Sequence, residues 1–99
     1  MNFKSDKKKL YENIAKIIEG NFSEPDLQYI KIKKGKIKIY FETELLHTYA
    51  SFEYAGYDEC VYYKLKDKNH AVDEVSSEIF TKILTYLNKY IKGETDEAI

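Results

Sequence analysis

The chain has no tryptophan and no arginine, and a single proline, methionine and cysteine among its 99 residues. Each shortage narrows what it can do. Without arginine, all sixteen basic residues are lysines, and the planar fork suited to bidentate contacts with phosphate or guanine is missing. That weighs against a dedicated nucleic-acid reader, although the same bias, with abundant Ile, Asn and Tyr, is also that of an AT-rich genome. The lone Cys60 cannot form an intramolecular disulfide, which agrees with a reducing compartment. Glycines stand alone at positions 20, 35, 56 and 93, so there is no glycine-rich phosphate loop. No uncharged apolar run approaches the roughly 20 residues that cross a bilayer. The start, Met1 to Lys9, carries charge where an export leader needs an apolar stretch, so a cytoplasmic chain with no membrane partner is expected.

What the chain does have is centred on Tyr29 to Phe41, where two runs of strict alternation flank Lys34-Gly35. A two-residue connection containing glycine predicts a tight hairpin. Alternation then sends Ile30, Ile32, Ile37, Ile39 and Phe41 to one face and Tyr29, Lys31, Lys33, Lys36, Lys38 and Tyr40 to the other. Charge is segregated along the sequence. Gln28 to Phe41 holds five lysines and no acid, whereas Glu42 to Glu59 holds five acids and no lysine, as adjacent strands attracting one another would.

Ahead of the hairpin, Leu10, Ile14, Ile17 and Ile18 fall on one stripe and predict a helix over 6–19, with Ser5 or Asp6 as cap and Gly20-Asn21 as terminator. Phe3 and Tyr11 read as flanking residues, and Pro25 marks a loop in which Phe22 anchors to the core. Beyond the hairpin, Ala50, Phe52 and Tyr54 alternate with Tyr49, Ser51 and Glu53 in a third strand. Gly56-Tyr57-Asp58 supplies a turn, and Val61, Tyr63 and Leu65 share one side of a fourth strand. Val75, Ile79, Phe80, Ile83, Leu84, Leu87 and Ile91 recur at helical spacing, with Asp73 as cap and Gly93 as stop. The expected fold is α+β: helix, four-stranded antiparallel meander, helix. It forms one domain over 1–99 with a frayed tail at 94–99 and packs as a two-layer sandwich with both helices on one sheet face.

The uncovered face would then present Tyr29, Lys31, Lys33, Lys38, Tyr40, Tyr49, Glu53, Tyr62 and Lys64 as the candidate partner-binding surface. Tyrosine offers large contact area with little rotamer entropy to lose, but it also favours strands, and lysine protects edges, so a plain solvated face produces the same pattern. A second candidate is the acidic set Glu42, Glu44, Asp58 and Glu59, which could meet a basic protein surface. His47, His70 and Cys60 stand in no nucleophile or metal-ligand spacing, so no catalytic residue, cofactor or metal site is expected.

Two stretches, Leu10-Tyr11-Glu12-Asn13-Ile14-Ala15-Lys16-Ile17-Ile18 and Val75-Ser76-Ser77-Glu78-Ile79-Phe80 with Leu84 and Leu87, resemble the terminal helices of the YezG-type immunity proteins of bacterial polymorphic toxin systems. The resemblance implies a cytoplasmic protein that binds and neutralises a nuclease toxin. The middle departs from that family, which has a tryptophan after the first helix. The element order is also similar to the double-stranded-RNA-binding domain, but Asp73 and Glu74 open the second helix where that family presents lysines. The expected function is a small protein-binding inhibitor, whether immunity protein, antitoxin or phage-borne inhibitor, that blocks its partner sterically. Self-association as a homodimer through the same face is a variant. The alternative is a nucleic-acid-binding module on that face, and an enzyme ranks third.

Overall fold

The computed structural model describes residues 2–21, 27–42, 47–65 and 74–93. A 3-10 turn, Phe3–Asp6, leads into helix α1, Lys7–Glu19. Strands β1 (Leu27–Ile32), β2 (Lys36–Glu42), β3 (His47–Ala55) and β4 (Cys60–Leu65) follow, and helix α2 covers Glu74–Ile91. The strands pair antiparallel in the order β1-β2-β3-β4, the α+β meander that the alternating runs predict.

Register decides which side chains share a face. Ile32 lies opposite Ile37, Ile39 opposite Ala50, and Phe52 opposite Tyr63. One side of the sheet therefore collects Ile30, Ile32, Ile37, Ile39, Phe41, Ala50, Phe52 and Val61, all buried. Phe80 of α2 plants its ring among this set, with centroids 6.1 Å from Phe41, 6.0 Å from Phe52 and 5.6 Å from Tyr63. Leu10, Ile14, Ile17 and Ile18 of α1 belong to the same cluster, and Asn13 donates to the Tyr86 hydroxyl across the two helices at 2.9 Å. Among the described residues the opposite face buries no hydrophobic side chain. Both helices thus lie on the apolar side, and the other side of the sheet is uncovered by them.

Several local expectations are corrected. Phe3 is no flanking residue: it is fully buried, its ring faces Tyr90 at 6.2 Å, and its amide donates to the Lys34 carbonyl at 2.7 Å. Asp6, one of the two expected candidates, occupies the N-cap position of α1, but its side chain does not do the capping. Asn2 accepts the Lys4 amide and caps the 3-10 turn, while the Asp6 carboxylate makes no cap bond and accepts the Tyr90 hydroxyl at 2.6 Å. A ready-made 3-10 turn already leads the chain into the helix, which leaves Asp6 free to reach across to α2. Gly20 ends α1 without a left-handed backbone, and Asn21 closes the helix by donating its side-chain amide to the Ile17 carbonyl at 2.7 Å.

The hairpin forms at Lys34-Gly35 as predicted, with Lys33 N donating to Lys36 O at 2.8 Å. Gly35, however, does not take a left-handed φ, so glycine's freedom is not what shapes the turn. Its neighbours hold it instead: Phe3 N donates to the Lys34 carbonyl and Tyr54 N to the Gly35 carbonyl, at 2.7 and 3.0 Å. Among the described residues the left-handed ones are Glu59 (φ 52°), in the β3–β4 turn, and Gly93 (φ 71°), just past α2. The readings made for Phe22, Pro25, Glu44, His70, Asp73 and the tail at 94–99 lie outside the described residues.

Candidate functional site

The register gathers the tyrosines and lysines predicted for the open face. Tyr29 lies opposite Tyr40, Tyr40 opposite Tyr49, Lys31 opposite Lys38, and Glu53 opposite Tyr62, with Lys64 next along β4. Lys33 continues the β1 alternation onto the same side, close enough to Lys38, Lys31 and Lys36 to feel their charge. Tyr29 and Tyr62 keep about half of their surface in water, 49% and 48%. Such phenols are rigid, amphipathic contact groups.

Within this face the polar groups are organised rather than scattered. The Tyr40 and Tyr49 rings sit 6.3 Å apart, and Tyr40 donates to a Glu42 carboxylate oxygen at 3.0 Å. That bond, aided by partial desolvation, raises the Tyr40 pKa above the ordinary phenol value. Tyr62 donates to Asp58 at 2.9 Å. Interactions with the Cys60 thiol, and then with Asp58, push the Tyr62 pKa well up. Both phenols are therefore neutral hydrogen-bond donors at ordinary pH. Glu53, at the centre, contacts Lys36 at 2.9 Å on one flank and Lys64 at 3.8 Å on the other. Lys33 has its pKa lowered, chiefly by Lys38 and Lys31, because like charges crowd it.

Lys36 and Ser51 join the face beyond the predicted binding set, although strand alternation already pointed both that way. Ser51 lies opposite Lys38 on one side and Lys64 on the other. Its accessible surface is 0%, and its hydroxyl oxygen has no hydrogen-bond partner. Alternation within one strand signals the direction of a side chain; only register shows which longer neighbours cover it.

The acidic candidates do not converge. Glu42 pairs with His47 at one end of β3, whereas Asp58 and Glu59 lie in the turn beyond its other end. Consecutive acids in sequence are separated because β3 runs the length of the sheet between them. Asp58 serves Tyr62, Glu42 serves Tyr40, and Glu44 is outside the described residues. Among the described residues no group of three or more His, Cys, Asp or Glu could hold a metal ion, and no helix is long and apolar enough to cross a membrane.

Fold and face together define a small two-layer α+β protein with a tyrosine- and lysine-rich sheet surface free of helices. No protein-family model matches the chain, and no curated protein or solved structure is significantly similar to it.

Proposed function

We propose that this chain is a small protein-binding inhibitor that acts by steric blockade, with the open sheet face as its contact surface. The observation that carries the reading is the row of Tyr29, Tyr40 and Tyr49 on that face, with Tyr62 opposite Glu53 on the same side and Tyr29 and Tyr62 about half exposed. Aromatic residues of this kind make binding hot spots, and the surrounding lysines and Glu53 set orientation more than affinity. In function it belongs with cytoplasmic immunity proteins, antitoxins and phage-borne inhibitors, which act by occupying a partner rather than by chemistry.

The test is affinity capture by the full chain from its native host, in parallel with Tyr29→Ala and Tyr62→Ala variants. The expected result is a stoichiometric protein partner whose activity falls on binding and whose capture weakens with both substitutions. Recovery of no partner by a monomeric chain, or capture indifferent to both tyrosines, overturns the reading. Nucleic-acid binding on the same face predicts retention of oligonucleotides at low salt with a steep loss as salt rises, and lack of retention removes that alternative.

A further inference from the structure

The two edges of the sheet are treated differently. In an antiparallel ladder, alternate residues of an edge strand turn their amide and carbonyl outward. On β4, Val61 is such a residue, and the Asn88 side chain of α2 closes it off: Val61 N donates to Asn88 Oδ1 at 2.8 Å, and Asn88 Nδ2 donates to Val61 O at 3.4 Å. On β1, the bond from Lys33 N to Lys36 O fixes Lys33 and Lys31 as the inward-bonded residues, so Ile30 and Ile32 turn their backbone groups outward. Among the described residues no backbone group or side chain bonds to these outward amides.

Beside that edge, positive charge is concentrated at some cost to the fold. Lys31 lies opposite Lys38, and Lys33 follows Lys31 next to Lys36, so like charges face one another across β1 and β2. Directly opposed like charges destabilise a strand pair. Among the described residues only Lys36 of this group has a carboxylate partner, Glu53. The crowding is strong enough to lower the Lys33 pKa. The same lysines oppose pairing of β1 with a second copy of itself, which would bring more lysine to the edge.

Resting on the reading of this molecule as a protein-binding inhibitor, we propose that the β1 edge accepts an extended acidic segment of the partner as a fifth strand. Its backbone would pair with Ile30 and Ile32. Its alternate side chains would place carboxylates against Lys31 and Lys33 on the open face and apolar groups beside Ile30 and Ile32 on the helix side. Main-chain pairing gives such strand addition its affinity, and the alternate side chains give its specificity. The partner segment is thus defined as alternating acidic and apolar residues.

The probe is a blocked peptide of about eight residues alternating Glu and Val, a usual strand length, titrated into the full isotope-labelled chain. Its Lys-Val counterpart and an oligothymidylate of similar length serve as controls. The expected result is slowed amide exchange at Ile30 and Ile32 with Glu-Val alone, weakened by about tenfold or more as salt is raised. A Lys31→Glu/Lys33→Glu variant should reverse the preference and bind Lys-Val, a swap that mere loss of structure cannot produce. Unchanged exchange at Ile30 and Ile32 at saturating peptide, equal response to Lys-Val, or preferential binding of oligothymidylate overturns the proposal. The two readings separate on the captured partner. If Tyr62→Ala releases it while Lys31→Glu/Lys33→Glu does not, the edge proposal fails and the open-face reading stands; if neither substitution matters, both fail.

Discussion

At the scale of single residues, the positions under most local tension are those where the backbone or a buried polar group has little choice. Glu59 takes a left-handed φ of 52° in the β3–β4 turn. An L residue there costs roughly 1–2 kcal/mol, whereas glycine adopts it freely but gives up about 0.5–1 kcal/mol in chain entropy. Glu59→Gly is therefore expected to stabilise the protein by about 0.5–1 kcal/mol and raise the melting temperature by about 2–8 °C in a thermal scan. A lower melting temperature would mean that the turn draws on the Glu59 side chain. Asn13 presents the opposite case, being 4% exposed and donating to the Tyr86 hydroxyl at 2.9 Å between the helices. Removing it strands a hydroxyl in the core, so Asn13→Ala should lose about 1–3 kcal/mol in urea unfolding. Adding Tyr86→Phe to that variant should recover part of the loss, because the orphaned group is then gone as well. A double variant no better than the single would show that packing around Asn13, not the bond, carries the effect.

Among the elements, the arrangement that most affects behaviour is the docking of α2 against the β4 edge. The Asn88 amide imitates a neighbouring strand by bonding both the amide and the carbonyl of Val61, and its Nδ2 also reaches the Leu84 carbonyl at 3.1 Å. Asn88→Ala should destabilise the chain by about 1–2 kcal/mol through the bonds lost. It should also leave an unpaired strand edge, so association should grow with protein concentration in sedimentation velocity. Loss of stability without any gain in association would limit Asn88 to a structural tie. This contact also marks the limit of what periodicity reveals. The spacing of Ile79, Phe80, Ile83 and Leu87 announces an amphipathic helix, and alternation from Tyr29 to Phe41 announces a hairpin with the correct core face. The open face was legible for the same reason, since each of Tyr29, Tyr40, Tyr49 and Tyr62 follows the period of two within its own strand; register sets Tyr29, Tyr40 and Tyr49 in one row and places Tyr62 apart from it, opposite Glu53. Asn88, Asn13, Tyr86 and Phe3 carry no such signal, because their roles depend on partners distant in sequence. The acidic set misled for a related reason: proximity along β3 is not proximity in space.

For the molecule as a whole, the tyrosines couple the fold to pH. Four of them have raised pKa values: Tyr90 through burial and then its bond to Asp6, Tyr86 through burial despite its bond from Asn13, Tyr62 through Cys60 and Asp58, and Tyr40 through Glu42. In the unfolded chain each releases its proton near pH 10, the ordinary phenol value. Below that pH both states hold the proton, and these groups make stability no steeper function of pH. Above it the unfolded chain releases protons that the native state retains, so the unfolded state binds fewer protons and stability falls as pH rises toward the folded pKa values. Lys33 acts in the opposite direction: its lowered pKa lets the native state shed a crowded charge first, which slightly favours folding as pH climbs toward 10.5. Phenols outnumber it here, and Tyr86 and Tyr90 are more enclosed than Lys33, so the net slope should be downward. Urea unfolding at stepped pH from about 8 to 11 should show a plateau followed by a decline that begins near the phenol pKa. Tyrosinate absorbance should show part of the phenol population titrating late. In Tyr90→Phe the decline should be shallower and the late fraction smaller; a profile flat through the alkaline range, or a Tyr90→Phe profile indistinguishable from that of the parent, would mean that the Tyr90–Asp6 link between α2 and the N-terminal turn contributes nothing to the coupling.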